Sequence, residues 1–301
     1  MKETLAPRGF VTIATGDERY YKLACNLLKS YRLNAKCQYP FAIIAENNNE
    51  YTAQFDHTIL MENPSRSFND KLRLFEYLPY EETIFIDADC LIYSDLNIWW
   101  ERFSEAGDFC AFGFAHDDLD SGRGWFRPSG MREFAPQVSF VPSFNGGVYY
   151  MRNTEICRKV FDVARHCATH YSDYAFNMFK KPADEPVLAL GMAVNGCRPV
   201  YNENSGIVEW LFAPNPNHLD IDILAPRACY HRENGTVSAR LIHWSNYLTE
   251  KQAYHYEVWK MDNAGNPGGV RSRLVQKAMK LYDVRAFALR VRRYIRRKLN
   301  L

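Results

Sequence analysis

The order of apolar runs constrains what this chain can fold into more than any other feature. Short β-branched or aromatic stretches alternate with segments whose apolar residues recur at helical spacing. "FVTIAT" (10–15) predicts a first strand ended by Gly16-Asp17, and "YYKLACNLLKSYRL" then sets Leu23, Leu27, Leu28 and Tyr31 on one helical face. "YPFAIIAE" (39–46) and "HTILME" (57–62) predict two further strands. "NDKLRLFEYL" (69–78) predicts a helix with Leu72, Phe75 and Leu78 on one side, and "TIFI" (83–86) another strand. Strands this continuously apolar are covered on both faces, and their alternation with helices specifies a mostly parallel α/β sheet.

Such sheets hold ligands outside the carboxyl ends of their strands. Two corners of this chain stand there, Thr15-Gly16-Asp17 and Asp87-Ala88-Asp89. A buried strand that runs into two carboxylates needs compensation for their charge. In Asp-x-Asp the two side chains share a side. A divalent cation, Mg²⁺ or Mn²⁺, would offset their repulsion. The alternatives are a capping and a solvated carboxylate, or a haloacid-dehalogenase phosphatase with Asp87 as nucleophile. Such phosphatases want Thr or Val after the second Asp, whereas Cys90 follows here, and at least two strands precede.

Beyond Trp100 the pattern loosens. Residues 116–142 are rich in Gly, Pro, Arg and aromatics without a period, and predict either an acceptor lid that orders on binding, carrying Arg123, Trp125 and Arg127, or a plain surface insertion. "FNGGVYYMRNTE" (144–155) predicts a strand followed by a helix to about Tyr171. In "FNGG" the glycines allow a ligand to approach the backbone beside Asn145, or serve a bulge. "ADEPVLALGMAV" (183–194) begins a helix with Asp184 and Glu185 in its first turn, and "ARLIHWSN" (239–246) is a late strand ending at His243. An imidazole can join carboxylates around manganese; a satisfied strand-end histidine is the alternative.

The chain is 47% hydrophobic and 24% charged, a globular composition. No apolar run approaches the roughly 20 residues that span a bilayer. The N-terminus lacks a signal peptide's apolar core and cleavage site, so a cytoplasmic location is expected. Eight cysteines without a C-x-x-C pair suit reduced thiols, and the "NGT" sequon at Asn234 is then incidental. The net charge of +2 conceals an asymmetry: residues 271–301 hold eleven Lys or Arg and one acid, while the preceding 270 hold 26 basic and 34 acidic groups. In that tail Val284, Phe287, Val291 and Ile295 form one stripe, and Arg285, Arg292, Arg293, Arg296 and Arg297 lie off it. A basic amphipathic helix of this kind suits an anionic membrane surface, giving peripheral attachment. Packing on the acidic body is the alternative. No recognition module for nucleic acid accompanies the charges. The expected organisation is a catalytic domain over 1–261, a linker over 262–270 and the basic tail over 271–301.

The ordered motifs from about residue 8 to 250 resemble GT-A nucleotide-sugar glycosyltransferases, most closely glycosyltransferase family 8, which includes glycogenin and bacterial lipopolysaccharide galactosyl- and glucosyltransferases. The resemblance implies a Rossmann-like α/β domain that moves a hexose from a UDP-sugar to a glycan or lipid-linked saccharide acceptor, with retention of configuration. It implies that Ala14, Thr15 and Tyr20 cradle the uracil, with Arg19 as an inserted residue, and that Lys71 reaches the diphosphate. Asp87, Asp89 and His243 would bind Mn²⁺ (or Mg²⁺), with Ala88 beside the nucleotide. Asn145 and Gly146 would border the donor sugar, Asp184 would meet its hydroxyls, and Glu185 would replace the family's Gln beside the reacting carbon. The family's Gly and Lys after the histidine are not cleanly present; Asn246 and Lys251 occupy that neighbourhood. An inverting enzyme with Glu185 as base, and an inactive relative that only binds nucleotide or membrane, are the alternatives within this resemblance.

Overall fold

The computed structural model describes residues 5–36, 39–177, 181–212, 215–233 and 235–264. Its first half is β1 (Ala6–Ala14), α1 (Glu18–Asn34), β2 (Phe41–Ala45), β3 (His57–Leu60), β4 (Tyr80–Ile86), β5 (Cys90–Ile92), α2 (Asn97–Ala106) and β6 (Phe109–His116). The second half is β7 (Val141–Arg152), α3 (Glu155–Thr169), α4 (Asp184–Val194), β8 (Glu203–Asn204), β9 (Ile207–Phe212), β10 (Leu219–Asp222), β11 (Arg227–Arg232), β12 (Gly235–His243) and α5 (Gln252–Asp262).

The predicted sheet is present, in the order β3-β2-β1-β4-β7-β6. β1 pairs in parallel with β2 and β4, β2 with β3, and only β7 runs against its neighbours. Period-two alternation assigns each strand residue to one of two apolar layers. Phe10 and Ala14 pack with Leu27 and Leu28 of α1 and with Trp99 and Trp100 of α2. Val11, between them, packs with Val160 and Phe161 of α3 and Leu188 of α4. The side-chain carboxylate of Asp17 accepts from Arg19 N at 2.8 Å, which caps α1 where the sequence placed the turn.

A second sheet, β10-β11-β12-β9-β8 with β5 added beside β12, shares a core layer with α1, α2 and the first sheet. Only β12 of it was expected from the sequence, and α2 and α5 were not anticipated. The fully buried Glu209 of β9 joins this sheet to α2: its carboxylate accepts from Trp99 Nε1 at 2.7 Å and faces Arg102 at 2.5 Å and Arg240 at 2.9 Å.

The helix predicted over 69–78 is present as a 3-10 helix, Phe68–Tyr77. The spacing of three between Leu72, Phe75 and Leu78 is the 3-10 period. The segment is tethered at its start by Asp70, which accepts from Ser65 N, Ser65 Oγ and Arg66 N. One expectation is corrected: the stretch 116–142 is neither a free lid nor a plain surface insertion. Phe126 and Met131 are fully buried in the core, and Trp125 Nε1 donates to Phe144 O at 3.0 Å. The stretch around 117–123 remains at the surface, and so do single residues further on, such as Arg127, Arg132 and Glu133.

The seven described cysteines are free thiols, six of them buried. No described helix is long and apolar enough to cross a membrane. Cys37, Asn234 and the tail at 271–301 lie outside the described residues.

Candidate active site

Three chain crossings assemble the site. At the end of β4, Asp87 N donates to Gly147 O at 2.9 Å, so the Asn145-Gly146-Gly147 stretch of β7 crosses beside the Asp-Ala-Asp corner. A turn closed by Cys90 N donating to Asp87 O at 3.0 Å then starts β5. β5 runs antiparallel to β12 with Cys90 opposite His243, which carries the imidazole to the same corner. The first turn of α4 supplies Asp184 and Glu185, and the 3-10 helix supplies Lys71.

Two charge clusters result. Lys71 Nζ lies 2.7 Å from Asp87 Oδ2 and 3.2 Å from Asp184 Oδ2, and donates to Gly146 O at 3.2 Å. His243 Nε2 lies 3.0 Å from Asp89 Oδ1 and 3.7 Å from Asp87 Oδ2. Its other nitrogen, Nδ1, is 2.9 Å from Asn145 Oδ1. The amide of Asn145 donates from Nδ2 to Glu185 Oε1 at 3.1 Å, and Gly146 N donates to the same oxygen at 3.1 Å. Tyr149 OH donates to Asp184 Oδ2 at 2.9 Å.

Burial dominates the electrostatics. It pushes the Asp87 carboxyl up to about 6, assisted by the charge of Asp89 and opposed by Lys71 and His243. Burial also acts on Asp89, but the His243 charge and hydrogen bond outweigh it and hold this carboxyl below its ordinary value. His243 responds in kind: burial disfavours its cation, and Asp89 more than restores it, leaving the imidazole raised. Glu185 is pushed up to about 7 by burial and the neighbouring Asp184 charge. Lys71 stays charged despite burial because Asp184 and Asp87 hold it.

The donor set fits a divalent cation. Two carboxylates and an imidazole converge, and Nε2 faces them because Nδ1 is engaged by Asn145, the usual arrangement of a ligating histidine. Beside them opens a cavity of about 380 Å³ lined by Thr15, Tyr20, Phe68, Lys71, Ala88 and Asp89, among others. Tyr20 and Phe68 present exposed rings at this cavity, with exposures of 49% and 66%. Ala14 is buried at the end of β1, and Thr15 Oγ1 donates to Asp70 Oδ2 at 2.8 Å. Asn246 opens a short turn, Asn246–Glu250, directly after β12; its side chain lies outside the described residues. Lys251 follows that turn, with Nζ 5.5 Å from the Tyr247 ring centre.

The structure thus brings together Lys71, Asp87, Asp89, Asn145, Gly146, Asp184, Glu185 and His243. Sequence reasoning missed three participants. Asp70, only 1% exposed, ties the cavity's outer loop to Thr15, and its position one residue before Lys71 was the available signal. Glu46 accepts from Gly16 N and from Arg66 Nη2 (3.0 Å), which ties Arg66 of the cavity's lining to the turn after β1. Tyr149 orients Asp184; as part of a strand its hydroxyl gave no sequence signal.

No protein-family model and no curated protein matches this sequence. Solved structures do resemble it. The galactosyltransferase LgtC, in complex with donor and acceptor sugar analogs, superposes with a TM-score of 0.55 at 16% identity, covering 89% of this chain and 99% of that one. An LgtC active-site mutant in which glutamine is replaced by glutamate gives 0.55 at 17% identity over 88% and 99%. The bifunctional glycosyltransferase WbbM gives 0.51 at 11% identity, over 92% of this chain and 52% of its own. The chain therefore has the GT-A fold of these glycosyltransferases.

Proposed function

We propose that this chain is a metal-dependent glycosyltransferase that moves a hexose from a UDP-sugar to a glycan or glycolipid acceptor. One observation carries the proposal: two carboxylates, an imidazole, a buried lysine and two further acids converge at a cavity outside the carboxyl ends of the parallel strands, where such sheets bind ligands. The LgtC complex with donor and acceptor sugar analogs supports the substrate class.

Asp87, Asp89 and His243 would hold Mn²⁺ or Mg²⁺, which when bound stabilises the charge of a departing diphosphate. Lys71 adds a fixed cation at the same place, pre-aligned because Asp87, Asp184 and Gly146 O hold its ammonium. Asp184, fixed by Tyr149 and Lys71, orients sugar hydroxyls. Glu185 has Oε1 occupied by Asn145 and Gly146, so Oε2 is the oxygen that meets substrate. Thr15, Tyr20 and Ala88 line the nucleotide's end of the cavity.

Retention of configuration is the first expectation. Inversion is the second, favoured by one observation: a carboxyl raised to about 7 is suited to take the acceptor's proton. Product NMR separates them, since the anomer either matches the donor or does not. A cytoplasmic enzyme held at an anionic membrane by residues 271–301 would suit a lipid-linked acceptor. The deciding experiment is a thermal-shift panel of nucleotide-sugars with and without Mn²⁺. The proposal requires stabilisation by a UDP-hexose that depends on the metal; no shift with any UDP-sugar removes it.

A further inference from the structure

Cys90 belongs to the core beside the site, and the proposed transfer gives it no task. It opens β5, is fully buried, and stands opposite His243 in the β5–β12 ladder. One ligand atom from each of Asp89, Cys90 and His243 lies within 4.8 Å of the other two. Among the described residues this is the one group of three such donors that close together. Asp87 stands outside it, with its Oδ2 drawn to Lys71 at 2.7 Å.

Oxygen, nitrogen and sulfur donors together describe a different preference from that of two carboxylates and an imidazole. Thiolate selects zinc-like ions, and at a mixed site zinc binds more tightly than manganese. Zinc bonds of about 2.0–2.3 Å place tetrahedral donors roughly 3.6 Å apart. Side-chain rotations of about an ångström would therefore close this set around an ion. The ladder makes the arrangement a consequence of the fold: whatever residue follows the second Asp is held opposite the ligating histidine, and in this chain it is cysteine.

We propose that Asp89, Cys90 and His243 form a second coordination set, for a thiophilic divalent cation such as Zn²⁺ or Cd²⁺, which competes with Mn²⁺ for Asp89 and His243. On binding, the Cys90 S–H bond breaks, the proton leaves to solvent, and the sulfur electron pair forms the metal bond; no oxidation state changes. The competing ion draws Asp89 and His243 toward Cys90 and away from Asp87, so it inhibits metal-dependent turnover. That inhibition rests on the proposed transfer; the binding does not.

The test is titration of the full chain with Cd²⁺, followed by the ultraviolet thiolate-to-cadmium charge-transfer band. A single saturable site is expected. Its band should disappear in Cys90→Val, and Mn²⁺ should raise the apparent Cd²⁺ dissociation constant in proportion to its concentration. A missing band, a band that persists in the folded variant, or a Cd²⁺ affinity indifferent to Mn²⁺ each overturns the proposal. If Cys90→Val fails to fold, by its thermal melt, the manganese competition in the unaltered chain decides alone. UDP-sugar turnover with Mn²⁺ is measured separately: turnover without the band removes this second set only, and the band without turnover removes the transfer only.

Discussion

Asn145 Oδ1 lies 2.9 Å from His243 Nδ1, and the other end of the same amide donates to Glu185 Oε1 at 3.1 Å. Gly147 N also donates to Asn145 Oδ1, at 3.0 Å, which fixes which way the amide points. The histidine consequently keeps its proton on Nδ1 and turns Nε2 toward Asp89. One neutral side chain thus sets the geometry of both the cation-facing imidazole and the carboxylate at the sugar end.

Truncating that bridge should be felt at the metal. Asn145→Ala is expected to lower Mn²⁺ affinity about 10–100-fold, the usual effect of removing a partner behind a ligating histidine. Asn145→Asp keeps an acceptor for Nδ1 and should retain most of the affinity, while its charge pushes the Glu185 carboxyl higher still. Electron paramagnetic resonance titration of free Mn²⁺ measures both. Equal affinities in the alanine variant and the unaltered chain would remove this role.

Glu185 predicts a pH dependence. Its carboxyl rises from 4.5 to about 7 because it is buried beside Asp184, with Asp87 adding to the shift and Lys71 and the Gly146 N–H opposing it. The folded state then binds the proton more tightly than the unfolded chain. The stability this group contributes is complete below pH 4.5 and is lost as pH rises through about 7. Glutamine accepts the same two hydrogen bonds and cannot ionise. Glu185→Gln should therefore gain stability relative to the unaltered chain as pH rises across this window, by at most about 3 kcal/mol. Denaturant unfolding of the metal-free protein on either side of the window checks it; a pH-independent difference would refute the shift.

Lys71 predicts the opposite sign. It is 8% exposed and compensates both Asp87 and Asp184. Lys71→Met leaves two buried carboxylates without their cation, and breaking a buried pair in this way costs about 3–5 kcal/mol. Urea unfolding at neutral pH should show this loss, and lowering the pH should recover part of it as Asp87 takes a proton. A loss below about 1 kcal/mol would mean that water already screens these charges.

Much of this geometry was legible in the sequence, for physical reasons that also mark the limits. β2 and the second halves of β1 and β4 are covered on both faces, so residues 10–14, 41–45 and 83–86 carry no charge, and the corners after Ala14 and Ile86 announced themselves as polar interruptions. The Asp184-Glu185 pair was visible as acids opening an apolar helix. The second sheet was not, because β8, β10 and β11 are short, half-exposed and rich in polar residues, with no sustained period to detect. Long-range pairings were equally hidden: that Cys90 faces His243, or that Asn145 joins His243 to Glu185, depends on a ladder between segments far apart in the chain.

The basic tail predicts a membrane contact. Vesicle flotation of the chain with and without residues 271–301 should show binding to anionic vesicles only when the tail is present, weakened by salt because the attraction is screened. Equal binding by both chains would discard the contact.

Gly146 and Gly147 give the sharpest steric prediction. A Cβ on Gly146 would sit 2.5 Å from Asp184 Oδ2 and 2.6 Å from Tyr149 OH; one on Gly147 would sit 2.7 Å from His243 Nδ1. Neither glycine has the positive φ that would itself demand the residue type, so the requirement is proximity alone. Gly146→Ala must therefore push Asp184 off Tyr149 and Lys71, at the sugar end, while Gly147→Ala must push His243 off Asn145, at the metal end. The expected outcomes separate accordingly. Gly146→Ala should keep Mn²⁺ affinity and lose turnover by about 100-fold or more, the cost of displacing a positioning group by an ångström. Gly147→Ala should weaken Mn²⁺ binding first. Steady-state turnover paired with Mn²⁺ titration distinguishes the two, and identical profiles for both variants would show that the two halves of the site are not separately held.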